Sequence, residues 1–448
     1  MTLAASLLRQ LENPRLSVDS RAELCCEIAK VFEDRGEYED AREALTDFWQ
    51  GTSERPSLEG LEQNTAAEVL LRAGVLTGWI GSSHQIADAQ ETAKDLISES
   101  LTVFESHRYK KKISEAQTEL ALCYWRTGEI NEARDVLKQA LSHLTTDSEL
   151  KAKAILRLAI VEHSAGQDEK ALRILRNHAS LFKKIQSQTL KGCYHIALGN
   201  RLENVAERKR GDYIDRALIE YAAASYHFEQ AKHRYYLATV ENNLGFILYK
   251  INRCKEAHEH LDHARRVFAG LKDVGAIAQV DETRACVFLA QGRVTEAERA
   301  ARVSVRSLEK SGQHDLLAEA LITYGRALAR LSNYSSAFSA FRRTIDLSEH
   351  TGSLNRAAEA ALAAFQEIGE HLGVTEGQKH LSGRSLSEEI RSFEHDVIKR
   401  ALESERGSVT NAARSLGMSY QALAYMLETR HKDLIKKRTP VRRRPRKQ

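Results

Sequence analysis

With 448 residues the chain has ample material for a large core or for several domains, so disulfide or metal staples are not needed for stability. Its four prolines are Pro14, Pro56, Pro440 and Pro445, which leaves 57–439 free of the commonest helix breaker, while scarce aromatics and abundant alanine suit helix-on-helix packing better than sheets. The net charge of +4 is uneven: residues 384–448 carry 16 Lys/Arg against 8 Asp/Glu, so residues 1–383 sum to −4 and the polyanion-seeking end is the C-terminal one.

In chain order, Met1 to Gln10 is short and mildly amphipathic, with no basic segment leading into an apolar run. No later stretch approaches the roughly eighteen apolar residues of a membrane span. The expectation is a protein with no signal peptide and no membrane contact, cytoplasmic and nucleoid-associated. Cys25, Cys26, Cys123, Cys193, Cys254 and Cys286 form no CxxC pair and no zinc-like spacing, and are expected to be reduced, semi-buried small hydrophobes.

From Ala29 onward one pattern recurs: a small residue inside a helix, usually a Gly seven positions later, and an Ala twelve positions later. The pairs are Ala29/Ala41, Ala121/Ala133, Ala159/Ala171, Gly245/Ala257, Ala285/Ala297 and Gly325/Ala337; Gly199/Ala217 is a copy six residues longer. Asn252 and Ser332 stand where other copies have the turn Gly. Two antiparallel helices joined by a tight turn approach closely only where facing side chains are small, and a Gly at the turn accepts the positive φ that ends the first helix. Leu45, Leu137, Leu175, Leu261 and Phe341 are expected to fill the groove against the next pair. Leu70 to Phe104 fits the pattern poorly and its register is left open.

With its clearest copies at 242–264 and 322–341, this pattern resembles the tetratricopeptide repeat (TPR) family. Intervals of 38, 40, 46, 40 and 40 between successive small residues from Ala121 onward are closer to the long-repeat variety of bacterial signalling and transcription proteins. The resemblance implies an all-α, TPR-like α-solenoid of about eight helical hairpins over 1–377, with a peptide or protein ligand on its concave face. Some TPR domains clamp a C-terminal carboxylate with an Asn after the small residue; only Asn200 stands there, and it reads as an ordinary polar helix residue.

The repeat fades after the Ala-rich helix at Ala357 to Phe365, and 371–385 reads as a polar linker with three glycines. Ser385 and Glu388 form a capping box opening a helix with the apolar stripe Leu386, Ile390, Phe393, Val397, Ala401 and Leu402, ending near Glu405 before an Arg406-Gly407 turn. A very short helix to Leu416, a turn at Gly417-Met418-Ser419 and a last helix from Tyr420 to about Arg430 complete a helix-turn-helix. Ala412, Ala413, Leu416, Met418, Leu423 and Leu427 pack the pair, leaving Tyr420, Gln421 and Tyr425 outward.

The segment 407–427 resembles the Fis-type helix-turn-helix on Gly407, Ala412, Ala413, Leu416-Gly417, Leu423 and Leu427. The resemblance implies binding to double-stranded DNA through residues 378–438, the last helix in the major groove, as a homodimer held partly by the preceding long helix. Family members commonly carry Arg or Lys where this chain has Tyr420, Ala424, Tyr425 and Met426. The expected contacts are Thr410, Asn411, Arg414, Ser419, Tyr420, Gln421 and Tyr425, joined by Arg430, Lys432, Lys436, Lys437, Arg438, Arg442, Arg443 and Arg444 of the basic run, whose end at 439–448 is read as an extended tail lying along phosphates.

No GxxxxGK[ST] loop cradles a nucleotide, the run His258-Glu259-His260-Leu261-Asp262-His263 misses the HExxH spacing, and no nucleophile–base arrangement stands out. The expectation is a non-enzyme with no cofactor, no metal and no catalytic residue: a transcription regulator, or alternatively a TPR scaffold whose helix-turn-helix mediates dimerisation or protein contact.

Overall fold

The computed structural model describes residues 3–13, 15–208, 213–309, 314–351, 360–361, 363–364, 386–416 and 418–437. Among them every regular element is helical, and none is a strand. After α1 (Leu3–Leu11), eight hairpins follow: α2 (Val18–Glu33) with α3 (Tyr38–Ala44), α4 (Gln63–His84) with α5 (Ala89–Ser106), α6 (Lys110–Arg126) with α7 (Ile130–His143), and α8 (Glu149–Ser164) with α9 (Asp168–Asn177) and the short α10 (Ala179–Lys184). The second four are α11 (Gln188–Arg208) with α12 (Tyr213–Ala231), α13 (Arg234–Lys250) with α14 (Cys254–Gly270), α15 (Val274–Ala290) with α16 (Val294–Leu308), and α17 (His314–Arg330) with α18 (Tyr334–Thr351).

The small-residue pattern builds these hairpins as its spacing requires. Ala29, Ala41, Ala121, Ala133, Ala159, Ala171, Ala257, Ala285, Ala297 and Ala337 are all buried, as are the groove fillers Leu45, Leu137, Leu175, Leu261 and Phe341. A Cβ added at Gly325 would sit 2.4 Å from the Phe341 ring, so no larger residue fits there. The turns adopt the left-handed conformation whether or not they have glycine: Asn252 (φ 62°) and Ser332 (φ 60°) match Gly36 (φ 72°) and Gly292 (φ 74°).

The unread register at 70–104 has a physical reason. In α4 and α5 the turn holds two left-handed residues, Gln85 and Asp88, and Ala93 packs on Gly78 where other copies place their Ala earlier. Gly74 and Gly81 complete a glycine-lined contact, against Ile97 and Ala89 respectively.

The hairpins wind so tightly that early turns meet helices one superhelical turn further on. The Asp34 carbonyl accepts from Thr189 Oγ1 (3.2 Å), and Gly36 lies against the ring of His233, the cap of α13. Next, Ser82 and Gln85 abut Gly275 at the start of α15, and the Thr127 carbonyl accepts from His314 Nδ1 (3.1 Å) at the start of α17. The first, second and third hairpins thus touch the sixth, seventh and eighth. Burial lowers the His233 pKa to about 4, so the seam carries a neutral imidazole.

Beyond the hairpins, α19 (Leu386–Ser404), α20 (Val409–Ser415), α21 (Tyr420–Thr429) and a 3₁₀ turn (Lys432–Lys437) form a small head. Ser385, the linker at 371–385, Gly417 and 438–448 lie outside the described residues, as do the side chains of Leu386, Ile390 and Phe393.

Candidate nucleic-acid interface and inner face

The head is built on ten buried side chains, among them Val397, Leu402, Ala412, Ala413, Leu416, Leu423, Leu427 and Leu434. Arg406 (φ 51°) and Gly407 (φ 80°) turn the chain out of α19. Ser408 Oγ then accepts from Asn411 N (3.3 Å) to start α20, and Ser419 Oγ accepts from Ala422 N (3.1 Å) to start α21. The side chain of Ser419, expected at DNA, therefore caps α21.

Because Leu423 and Leu427 face inward, the opposite stripe of α21 must face out. Tyr420 is 48 % and Tyr425 64 % exposed, with Gln421 exposed between them. Thr410, Asn411 and Arg414 are exposed on α20, and Arg430, Lys432 and Lys436 beyond α21. These nine expected contacts thus share the outside of one small unit. The side chain of Lys437, with Arg438, Arg442, Arg443 and Arg444, lies outside the described residues. Glu428, passed over in the sequence, is exposed one turn beyond Tyr425 on the same stripe, where it adds a negative charge.

The basic run begins as part of the folded head. His431 and Leu434 are buried in the head, and His395 pairs with Asp433 (2.6 Å), fastening the 3₁₀ turn to α19. Buried Glu394 receives Arg342 of α18 and stands 3.5 Å from His431 Nε2; burial pushes its carboxyl up, but the contacts with His431 and the Arg342 guanidinium pull it below the ordinary range. Phe338 of α18 packs on the same core, so the last hairpin and the head touch while the Tyr420–Tyr425 stripe stays open.

The solenoid buries a set of charged groups that are largely self-paired. Arg72 reaches Glu33 (2.6 Å) and Glu115 (2.8 Å), Lys30 also reaches Glu115 (2.6 Å), and Arg157 holds Glu119 (2.7 Å). Burial pushes Glu33 up to about 7 despite Arg72 beside it. None of these groups was singled out in the sequence, because charged residues at helical spacing look the same whether they face water or one another.

Asn200 accepts from Tyr221 (2.9 Å) and Asn243 (3.1 Å), as an ordinary polar residue of a repeat helix does. In the histidine run, His260 pairs with Glu241 (2.7 Å) while His258 faces Gln291 (3.1 Å). All six cysteines are free, four of them buried. No described helix is long and apolar enough to cross a membrane.

Comparison with known proteins agrees with both halves. Residues 389–428 match the family described as "Bacterial regulatory protein, Fis family", and residues 114–142, the hairpin of α6 and α7, match a tetratricopeptide repeat. The chain therefore carries a Fis-family helix-turn-helix and, within its helical body, a tetratricopeptide repeat. Similar solved structures include a Rap protein complexed with Competence and Sporulation Factor, at 14% identity over 82% of this chain and 99% of that one (TM-score 0.49). Yeast Tom70 is similar at 12% identity over 97% and 87% (TM-score 0.42), and aspartyl phosphate phosphatase F from Bacillus subtilis at 12% over 83% and 99% (TM-score 0.41). These are likenesses of fold alone. No curated protein matches the sequence.

Proposed function

We propose that this chain is a sequence-specific transcription regulator: residues 378–438 read DNA, 439–448 lie along phosphates as a basic tail, and the solenoid of 1–377 binds a regulatory peptide or protein on its inner face. It acts in the cytoplasm on the nucleoid as a homodimer and catalyses no reaction, in keeping with two families that are generally non-enzymatic. The observation that carries the reading is the outward stripe of Tyr420, Gln421 and Tyr425 on a helix whose other side is locked by Leu423 and Leu427. Gln421 suits the paired donor and acceptor of an adenine edge, the tyrosine hydroxyls reach bases or phosphates, and Thr410, Asn411 and Arg414 flank them.

Selection of bound members from a pool of random duplexes by the full-length protein checks this. A recurring motif with two symmetric half-sites is expected, and it weakens when Gln421→Ala is used. A pool recovered without any sequence bias contradicts sequence-specific binding.

A further inference from the structure

We infer that the inner face holds a built site for a carboxylate, centred on Arg126, which takes an acidic side chain or the C-terminus of a bound peptide; this rests on reading the inner face as a peptide-binding surface. Arg126 ends α6 and is only 7 % exposed. Its guanidinium lies over the Trp79 ring, 4.2 Å from the centroid, and Nη1 donates to the Gly78 carbonyl (2.9 Å). Trp79 is stacked in turn on Tyr38, with centroids 4.8 Å apart.

Among the described residues no acid forms an ion pair with this arginine. Arg72 and Arg157, also buried, each hold carboxylates. At Arg72 burial disfavours the charge, but Glu33 and Glu115 outweigh it and hold the pKa far above its ordinary value. At Arg126 burial prevails and the pKa falls below its ordinary value. The acid that acts on it from α15, Asp273, already accepts from Ala276 N (2.7 Å) and Ser83.

A desolvated cation without a counter-ion costs several kcal/mol, so an unmatched one marks a place where an anion from outside completes the pairing. The chemistry around it selects the anion. A guanidinium fork matches a carboxylate bidentately, and with Nη1 engaged by Gly78 and the ring face taken by Trp79 the remaining N–H groups set its approach. Tyr38 and Tyr235 are near enough to act electrostatically on the guanidinium, and no hydrogen bond of either hydroxyl is found among the described residues, so each can add a donor to the same anion.

The test is affinity selection on the full-length protein with four synthetic octapeptide libraries: neutral with an amidated C-terminus, neutral with a free C-terminus, amidated with one internal Glu, and amidated with one internal phosphoserine. Wild type is expected to retain one or both carboxylate-bearing libraries over the neutral amide, and which of the two is retained names the source. R126M should lose those peptides by about tenfold or more, and R126K, which keeps charge without the fork, by an intermediate factor. The melting temperature of R126M should hold or rise, since the unmatched charge is gone; should R126M fail to fold, R126K decides. Carboxylate peptides held equally by R126M or R126K, or preference for the neutral or phosphoserine library, overturns the Arg126 site and leaves peptide binding standing. No retention of any library by wild type overturns the peptide-binding surface and the site together.

Discussion

The body and the head place their polar groups in opposite ways. In the solenoid, Arg72, Glu33, Glu115, Arg157 and Glu119 are turned inward and matched within the protein, and the superhelix closes on itself at Gly36 and His233. In the head the interior is almost wholly aliphatic, and the polar side chains of α20 and α21 are turned out. The difference teaches what each part is exposed to: the charges buried in the solenoid are held by one another, whereas Thr410, Asn411, Arg414, Tyr420, Gln421 and Tyr425 of the head are turned to solvent. Among the described residues of the head, Glu394 and His431, at the contact with α18, break the rule.

Substitutions that break this contrast differ in size. The largest effect is expected from Arg72→Met, which strands Glu115 and Glu33 in the interior: about 4 kcal/mol of stability is lost in urea denaturation, with DNA affinity altered only through unfolding. A loss under about 1 kcal/mol shows the network to be solvated.

Two turn glycines separate the seam from the turn itself. Gly36→Ala both forces a positive φ on alanine and drives a Cβ to 2.5 Å from the His233 ring, for about 3 kcal/mol; Gly166→Ala, at φ 73° with nothing nearby, is expected to lose about 1 kcal/mol. Equal losses contradict the closed superhelix.

The seam is also acid-sensitive. His233 has its folded pKa depressed to about 4 from 6.5, so its contribution is complete above 6.5 and is lost as pH falls toward 4. Between pH 7 and 5 wild type is expected to lose about 2 kcal/mol relative to H233Q, measured by denaturation at both values.

Smallest in stability are changes on the head's outer stripe. Tyr425→Ala should leave the melting curve within about 0.5 kcal/mol and weaken duplex binding by about tenfold, while Glu428→Gln, which removes a charge opposing phosphate, strengthens binding at low salt.

How much of this was legible depended on range. The Ala29/Ala41-type pairs and the Leu423/Leu427 stripe were readable because each lies within one hairpin, where periodicity is a direct image of packing. The second hairpin escaped because two left-handed residues, Gln85 and Asp88, lengthen its turn without a glycine. The seam from Gly36 to His233 and the placing of Arg126 over Trp79 join segments far apart in the chain, and no local pattern encodes them. The fold of the onset of the basic run was not legible because its ten cations hide the two residues that matter to it, His431 and Leu434.

The most direct test of the central claim is the salt dependence of duplex binding by the full-length protein, followed by fluorescence anisotropy alongside a variant with Arg414, Lys432 and Lys436 changed to alanine. Affinity should fall linearly on a log–log plot against salt, and the variant's slope should be shallower by about one unit for each phosphate contact removed. Absence of binding at low salt, or an identical slope in the variant, contradicts a head that engages DNA through this face.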